Sequence, residues 1–415
     1  MTRSVIVVGA GMVGVSAALH LQERGLNVTL IDRRGPGEET SYGNAGVIIG
    51  GIDIPVGIPR DLGELARLAL NRTTYMQYRP SLLPKLAPWL WAFWRASSPE
   101  RLEASARATQ PLFSHAISTH KSFASAAKAD DLLRDDGWVQ IFRTATGINA
   151  TDQERRLAQE YGVDVDVLDP DSLADLEPSL KPVAAAALHW KNITSTSDPG
   201  RLTKAYATLF SGRGGTIIEA DVDALLNQSN GRWHVLTGTG AIEADDVVVA
   251  AGPWSPDLLA PLGYKLPFAV KRGYHWHYKP FGNAGLARPV VDSDYGFVLA
   301  PMEQGIRITT GVEFDDRDAP PNRAQLDAVL PHARDLFPLD GPAEDEPWLG
   351  RRPCFPDQLP MIGSAPRHKG LWFDFGHAHW GLTLGPASGL LLADLMTGAT
   401  PYADPTPFAP TRYKI

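Results

Sequence analysis

A glycine-rich turn near the N-terminus constrains the fold of this 415-residue chain more than any other feature. The apolar run Val5 to Val8 predicts a buried strand, and Val13 to Arg24 predicts a helix directly after it. A second strand is predicted to end at Asp32. Three glycines occupy the turn and the start of the helix: Gly9, Gly11 and Gly14. In such a unit the first glycine permits a tight turn, the second lets a pyrophosphate approach the helix N-terminus, and the third lets the helix pack closely on the strand. The acidic residue accepts hydrogen bonds from a ribose. The pattern predicts dinucleotide binding on an α/β fold.

The composition limits the binding partners and the cellular compartment that we expect for this protein. A net charge of −8 leaves no basic surface for nucleic acid. Cys354 is the single cysteine, which excludes an intrachain disulfide framework and is typical of a reducing compartment. No stretch approaches the roughly 20 apolar residues of a membrane span, and glycines interrupt the N-terminal apolar run. We therefore predict a cytoplasmic protein with no nucleic-acid partner and no integral membrane segment, and attachment to the inner face of the membrane stays open.

Helices are predicted in the segment after the nucleotide unit. They fall near Leu62 to Leu70 and Leu82 to Arg95, and a longer helix begins at Ser98 with Pro99 in its first position. We expect that longer helix to be interrupted at Pro111. The second helix carries Trp89, Trp91 and Trp94. These side chains form either a packed core or an apolar patch that touches a membrane or an electron-acceptor partner.

Further helices and strands are predicted in the middle of the chain. Thr151 and Glu154 predict a capping box for a helix ending near Gly162, and another helix is predicted over residues 199–212. Strands are predicted over Gly137 to Arg143, Thr216 to Leu226, Arg232 to Thr237 and Ala241 to Val249. Asn230 and Gly231 predict a hairpin turn between two of them.

Alternating strands over residues 268–279 and 297–313 predict a separate mixed sheet. The first strand places Tyr274, Trp276 and Tyr278 on one side. His275 and His277 alternate onto the other side. The aromatic face is either core or the wall of a substrate cavity. We name no carboxylate partner for the histidines, and no cluster shows metal-ligand spacing, so we predict no metal site.

Two C-terminal stretches carry the remaining motifs. GRRPCFPDQLPMIG, over residues 350–363, precedes a strand predicted over Leu371 to Phe375. That strand leads into GHAHWGLT, over residues 376–383, and a closing helix. The N-terminus of this helix can present backbone N–H groups to an electron-rich ring and stabilise negative charge there.

With these motifs the chain resembles the D-amino acid oxidase superfamily of flavoproteins, in particular its D-amino acid dehydrogenase branch. The resemblance covers nearly the whole length. It rests on GAGMVG with Asp32, the ETSYGNAG loop over residues 39–46, VVVAAGPWS, KRGYHWH and the two C-terminal stretches. It implies an FAD-binding Rossmann-type domain formed by residues 1–80, 190–262 and 345–415. A smaller α+β substrate domain, built on the mixed sheet, would be formed by residues 81–189 and 263–344.

The resemblance implies FAD rather than NAD, with the glycine-rich turn at the pyrophosphate and the C-terminal turn at the flavin. Binding should be non-covalent, because Cys354 does not stand where sarcosine-oxidase relatives attach their flavin. The implied cofactor-binding residues are Gly9, Gly11, Gly14, Asp32, Arg33, Thr40, Ser41, Asn44, Ala45, Gly46, Val222, Gly252, Trp254, Gly376, His377, Trp380, Gly381, Leu382 and Thr383.

Three residues are catalytic candidates. Arg352 matches the family's substrate arginine, and its guanidinium fork suits an amino acid carboxylate, with a structural ion pair as the alternative. Arg351 would point the other way in an extended segment. Tyr274 matches a family tyrosine near the active site, or is an ordinary packed tyrosine. His379 lines the cavity or approaches the flavin, or else bonds a loop carbonyl.

The reaction implied is oxidation of the Cα–N bond of a D-amino acid or a cyclic secondary amino acid such as a D-proline derivative. Hydride transfer to flavin N5 gives an imino acid, which hydrolyses to a 2-oxo acid. We name no general base, because a neutral amine requires none. The alternatives are a sarcosine- or glycine-oxidase-like enzyme, a 2-hydroxy acid oxidoreductase, and a non-catalytic flavoprotein interaction subunit. The electron acceptor is open among oxygen, a quinone and a partner flavoprotein.

Overall fold

Two large β-sheets organise the chain in the computed structural model, which describes residues 2–228 and 231–415. The strands of this part of the chain are β1 Ser4–Val8, β2 Asn27–Asp32, β3 Val47–Ile49, β4 Met76–Tyr78, β5 Leu133–Arg134, β6 Trp138–Phe142, β7 Val165–Leu168, β8 Ala186–Trp190, β9 Ile193–Thr196, β10 Thr216–Glu219, β11 Val222–Asn227, β12 Trp233–Thr237, β13 Gly240–Ala244, β14 Asp246–Val249, β15 Ala269–Pro280, β16 Val290–Asp292, β17 Phe297–Met302, β18 Gly305–Thr309, β19 Val312–Phe314, β20 Leu339–Pro342, β21 Trp348–Cys354, β22 Met361–Ser364 and β23 Leu371–Phe375.

The helices cover the faces of these sheets. They are α1 Met12–Glu23, α2 Leu62–Ala69, α3 Leu83–Ala96, α4 Pro99–Ala127, α5 Asp152–Glu160, α6 Pro170–Leu176, α7 Pro199–Gly212, α8 Ser255–Leu259, α9 Ala324–Leu336 and α10 Gly381–Thr397. Short 3₁₀ helices lie at Pro80–Leu82, Asp130–Leu132, Gly147–Thr151, Gly252–Trp254, Ala260–Leu262, Thr406–Phe408 and Pro410–Arg412. Among the described residues, no helix is both long and apolar enough to cross a bilayer.

The first sheet has six strands in the order β10-β2-β1-β14-β23-β22, all parallel except β22. Val5 and Val7 of β1 pack in a core with α1, α7 and α10. Ile6 and Val8 face a second core with Trp233 of the three-stranded sheet β11-β12-β13. Because both faces are covered, the strands are continuously apolar, which is why the N-terminal run reads as a buried strand.

The second sheet is mixed, with the order β4-β19-β15-β18-β17-β16-β6-β8-β7, and β20 and β21 also pair with β15. One face packs on α9, where Tyr274 and Leu299 share a core with Leu326. The register places a different set of side chains on the opposite face, which lines the cavity described below. Directly paired residues on that face are Gln140, Val291, Val298, Thr309 and His275.

The α/β class and the interleaving of two units are confirmed. The domain boundaries stay a prediction, and two elements do not follow them. Helix α4 packs on α7 and α10 of the first unit, although it was assigned to the substrate domain. Strand β21 pairs with β15 of the mixed sheet, although it was assigned to the nucleotide domain.

Two predicted strands are each divided between sheets. The run predicted over Thr216 to Leu226 forms β10 in the six-stranded sheet and β11 in the three-stranded sheet. The run predicted over Ala241 to Val249 likewise becomes β13 and β14. Acidic residues occur throughout both runs, at Glu219, Asp221 and Asp223 and at Glu243, Asp245 and Asp246. Polar residues also alternate along ordinary half-buried strands, so they do not mark where the chain changes sheets. Asn230, half of the predicted hairpin turn, lies outside the described residues.

The predicted interruption of α4 at Pro111 is wrong. Proline removes one helical hydrogen bond and costs about 3 kcal/mol within a helix. The helix nevertheless continues, because buried side chains lie on both sides of the proline: Ala106, Thr109, Leu112, Phe113 and Ala116. Tertiary packing therefore outweighs the local preference for a break.

The capping box predicted at Thr151 and Glu154 does not form. The Thr151 hydroxyl donates to the carbonyl of Ile148 at 2.6 Å and caps no first-turn N–H. Its backbone, at φ −98° and ψ 7°, continues a preceding 3₁₀ helix, whereas a capping residue needs an extended backbone. Glu154 therefore has no capping role, and it lies in the wall of the cavity.

The tryptophans of α3 divide between the two predicted environments. Trp89 is buried and packs on Phe93. Trp91 is 61% exposed and stacks on Trp94 with ring centroids 5.3 Å apart. The helix thus contributes one ring to the core and one to the surface.

Candidate active site

A cavity of about 920 Å³ runs from the turn between β1 and α1 to the mixed sheet. Its first part lies at the carboxyl edge of the parallel strands, where ligands of open α/β sheets bind. Its second part is walled by the mixed sheet and by the start of α5. The cavity is therefore long enough to contact both the nucleotide motifs and the candidate substrate residues.

The glycine turn leaves space for a close backbone approach. Gly9 has a φ of +113°, and a Cβ there would overlap the carbonyl of Ala250. A Cβ at Gly14 would overlap the carbonyl of Gly9, so helix and strand touch. Gly11 is the N-cap residue of α1 and offers no side-chain cap. Apart from the N–H of Met12, which donates to Ser41, the first-turn N–H groups have no side-chain partner among the described residues, and they fit a pyrophosphate.

Asp32 ends β2 beside this turn. Its carboxylate accepts from the backbone N–H of Ala10 at 2.6 Å and of Arg34 at 3.1 Å. Burial raises the pKa of Asp32 above its ordinary value. Arg33 lies over the Trp254 ring at 3.9 Å from its centroid. Val222 and Gly252 line the same part of the cavity, so these predicted cofactor-binding residues lie together with Asp32 and Arg33.

The loop over residues 39–46 connects the two parts of the cavity. Thr40 donates to the carbonyl of Arg351 at 3.0 Å, and Ser41 accepts from the N–H of Met12 at 2.9 Å. Asn44 accepts from the N–H of Gly46 at 2.9 Å, which closes the loop on itself. Thr40, Ser41, Asn44 and Ala45 all line the cavity, where the sequence predicts that they contact the cofactor.

Arg307, which no sequence pattern predicts as a site residue, holds this loop from behind. Its guanidinium donates to the carbonyls of Tyr42 at 2.9 Å and Asn44 at 2.6 Å. It also donates to Nε2 of His277 at 2.9 Å. Burial lowers the pKa of Arg307 to about 10, so it stays charged at neutral pH. No local signal marks this residue, because its partners lie far away in sequence.

A carboxylate partner for the strand histidines does exist. Nδ1 of His277 lies 2.9 Å from a carboxylate oxygen of Glu344. His275, His277 and Glu344 offer ligand atoms within 4.8 Å of one another. The Arg307 cation already occupies Nε2 of His277, which opposes a metal ion at this place. We assign the cluster to holding the loop, and the lack of a metal site stays a prediction.

The C-terminal turn brings the N-terminus of α10 to the cavity. Gly376, Gly381, Leu382 and Thr383 line it, and no side chain caps α10. The His377 ring turns away, because its Nε2 lies 3.0 Å from the Ser388 hydroxyl. Burial lowers the pKa of His377 to about 3, so the ring is neutral. The first turn of α10 therefore faces the cavity with its positive dipole end.

His379 and Trp380 meet an aspartate that the sequence analysis did not single out. The Trp380 indole donates to a carboxylate oxygen of Asp53 at 2.7 Å. Nε2 of His379 lies 3.9 Å from the same oxygen. All three residues line the cavity. Asp53 lies in an irregular segment with no motif, so no pattern predicted it.

Arg352 lies in the cavity wall on the predicted strand. Its guanidinium donates to the carbonyls of Gly311 at 2.7 Å and Thr310 at 3.2 Å. No carboxylate among the described residues pairs with it, and burial lowers its pKa. Arg351 points to the other side of β21, where its Nε donates to the Arg317 carbonyl at 2.9 Å. The two arginines thus alternate as predicted.

Lys271 gives the same wall a second cation that was not predicted. It stands directly opposite Arg352 in the register of β15 and β21. Its ammonium donates to the side-chain oxygen of Gln358 at 3.2 Å and lies 4.1 Å from the centre of the Phe93 ring. Burial lowers its pKa, and no carboxylate in the described residues pairs with it. Two unpaired basic groups make this wall attractive to an anion.

Tyr274 belongs to the cavity lining, but its side chain and that of Arg352 lie on opposite faces of the sheet, and its catalytic role stays a prediction. Its side chain lies on the face of the mixed sheet that packs on α9. The hydroxyl donates to Glu313 at 2.6 Å and accepts from Arg272 at 3.0 Å. The reason is strand alternation, since Lys271 and Tyr274 of β15 have opposite parity and the cavity face takes Lys271.

Known proteins match the chain over both sheets. A family model described as FAD dependent oxidoreductase matches residues 4–395. A D-amino-acid oxidase of Bradyrhizobium diazoefficiens is 32% identical over 418 residues, which is 99% of each chain. A D-amino acid dehydrogenase of Chromohalobacter salexigens is 29% identical over 424 residues, again 99% of each chain. Among solved structures, glycine oxidase from Geobacillus kaustophilus shares the fold with a TM-score of 0.73 at 22% identity, covering 99% of this chain and 100% of that one.

Proposed function

We infer the function from a family membership: the chain belongs to the family of FAD-dependent oxidoreductases, and it is an enzyme that uses FAD. Within that family we propose that it oxidises the Cα–N bond of a D-amino acid or a cyclic secondary amino acid. The names of the two relatives, D-amino-acid oxidase and D-amino acid dehydrogenase, support this substrate class. We further propose that FAD is held without a covalent bond, because burial raises the pKa of the Cys354 thiol and keeps it un-ionised.

The observation that carries the proposal is the state of Arg352. Its guanidinium is fixed by backbone carbonyls, faces the cavity and has no acidic partner among the described residues. Arg352 is half-buried, and a cation held partly out of water without a counter-ion is costly, so the site is complementary to an incoming anion. A carboxylate matches the planar fork of donors, and the charge of Lys271 on the neighbouring strand adds to the attraction.

The residues of the cavity divide the work between binding and orientation. Bound FAD supplies the acceptance of a hydride from the substrate carbon. Arg352 binds and orients the carboxylate, which fixes the Cα–H bond relative to the wall formed by α10. The first turn of α10 would contact bound FAD, and its backbone N–H groups would stabilise negative charge that develops on the cofactor. We assign no general base, because an amine that binds in its neutral form requires none.

An anaerobic titration tests the proposal. The purified yellow protein is mixed with D- and L-amino acids, glycine, sarcosine and a 2-hydroxy acid, and flavin absorbance is followed. We expect D-amino acids or D-proline derivatives to bleach the flavin and their enantiomers to leave it unchanged. Bleaching only by a 2-hydroxy acid or by sarcosine would replace the proposal with that activity. A flavin that no member of the panel reduces would contradict it.

A further inference from the structure

Two carboxyl groups lie in the same cavity as Arg352, and the proposed reaction uses neither. Asp53 accepts from the Trp380 indole at 2.7 Å and from the Ile54 N–H at 3.0 Å. Each oxygen therefore keeps a lone pair for a further donor. Among the described residues, the basic atom in ion-pair range of the Asp53 carboxylate is Nε2 of His379, at 3.9 Å. Asp53 thus presents an acceptor to the cavity.

Glu154 is the second carboxyl group. It lies in the first turn of α5, and the capping box that its sequence position predicts is not formed. The side chain lines the cavity, and no described residue donates a hydrogen bond to it or forms an ion pair with it. Burial, together with the charge of Asp53, raises its pKa to about 8. The residue is half-buried, and a carboxyl held partly out of water without a protein partner is costly unless a ligand supplies a donor.

The groups around the acids do not satisfy them. On the neighbouring part of the mixed sheet, the cavity face carries Gln140, Val291 and Val298. The Gln140 side chain already accepts from the Trp190 indole at 3.2 Å and donates to the Ser293 hydroxyl at 3.0 Å. The cavity therefore has basic groups without a carboxylate partner on one wall. On another wall it has Glu154, which no described residue satisfies, and Asp53, which keeps lone pairs for a further donor.

We propose that the substrate is a D-amino acid with a basic side chain, whose terminal cation is bound by Glu154 and Asp53 while Arg352 binds its carboxylate. The inference rests on the proposed function and adds the class of side chain to it. A cation bound between the two carboxylates replaces water with charged hydrogen bonds. An apolar side chain of equal length would leave Glu154 without a partner and Asp53 without the added donor, and that penalty gives the preference.

The first experiment compares D-lysine with D-norleucine, which has the same chain without the amino group. We expect the holoenzyme to have a kcat/KM at least tenfold higher for D-lysine. Glu154→Gln should abolish that preference, because kcat/KM for D-lysine should fall to the value that the variant shows for D-norleucine. Glu160→Gln, at the exposed end of the same helix, is the matched control and should keep the preference. FAD content measures whether each variant folds.

A second experiment measures binding without turnover. The flavin spectrum of the holoenzyme is titrated with 4-aminobutyrate, 5-aminopentanoate and 6-aminohexanoate, and with the matching unsubstituted acids. At least one amino acid of the series should bind tenfold more tightly than its matching acid in the wild type, and Glu154→Gln should remove the difference. This outcome supports the cation site even where no amino acid reduces the flavin, so it separates the two proposals. Equal binding within every pair, together with equal kcat/KM for D-lysine and D-norleucine, overturns the inference and leaves the proposed function standing.

Discussion

Replacing Arg307 should weaken FAD binding although this side chain lies behind the cofactor loop. Arg307→Met removes the two hydrogen bonds to the carbonyls of Tyr42 and Asn44, at 2.9 and 2.6 Å. A hydrogen bond from a charged donor contributes about 1.5–3 kcal/mol. In the variant the cofactor itself must order the loop, and if the stabilisation of one such bond is lost from binding, the Kd rises roughly 10- to 150-fold.

The assay is a titration of the flavin-free protein with FAD, followed by quenching of flavin fluorescence. Arg307→Lys keeps the charge but not the planar fork, so it should give an intermediate Kd. Arg201→Met, which removes exposed ion pairs with Glu303 and Asp131, is the control and should leave Kd within about twofold. An Arg307→Met protein that unfolds at the wild-type temperature and binds FAD with the wild-type Kd would refute the assignment of Arg307 to the loop.

Three further outcomes follow from particular contacts. Asp32→Ala should weaken FAD binding by roughly 1.5–3 kcal/mol, because hydrogen bonds to the ribose are lost, while the chain still folds. The amount of FAD that acid releases from the dialysed variant measures this loss, and full FAD occupancy would contradict a ribose-binding role for Asp32. Tyr274→Phe should lower the free energy of unfolding by about 1–3 kcal/mol, because Glu313 loses a buried hydrogen-bond donor. The variant should keep kcat/KM within about threefold of the wild type. A large loss of kcat/KM at normal stability would show that Tyr274 takes part in the reaction. The pKa of Glu154 rises on folding to about 8, so the unfolded state ionises first and this group lowers stability as pH rises from about 4.5 to 8. Glu154→Gln should therefore raise the unfolding temperature more at pH 8 than at pH 5, with Asp53 and His379 as the other titrating groups nearby, and an equal effect at both pH values would contradict the burial of that carboxyl.

Local patterns predicted the turn between β1 and α1, because the conformation of that turn depends on neighbouring residues. The turn at Gly9 needs a left-handed backbone, and Gly14 needs the absence of a side chain, so both requirements appear directly in the sequence. The helix start at Pro99 is also local, since Ser98 caps it. Arg352 was predicted from a motif, and alternation alone separated it from its neighbour Arg351.

The substrate end depends on contacts that no local pattern records. The pairing of β15 with β21 decides that Lys271, and not Tyr274, shares a face with Arg352. Asp53 and Glu154 lie about a hundred residues apart in the chain and meet only through the cavity. Arg307 likewise holds a loop far from it in sequence. The residue types at Thr151 and Glu154 predicted a capping box, but the backbone of Thr151 does not have the geometry that a capping box needs.

The central claim is that Arg352 binds the substrate carboxylate, and a comparison of two neighbouring arginines tests it most directly. The measurement is kcat/KM for the best amino acid substrate in Arg352→Lys and in Arg351→Lys, at equal FAD content and equal unfolding temperature. Loss of the planar fork at Arg352 should lower kcat/KM at least tenfold, or about 1.4 kcal/mol of transition-state stabilisation. Arg351→Lys should stay within about threefold, because its partner is the Arg317 carbonyl on the other side of the strand. A sensitive Arg351 with a tolerant Arg352, or tolerance at both positions, would contradict the claim.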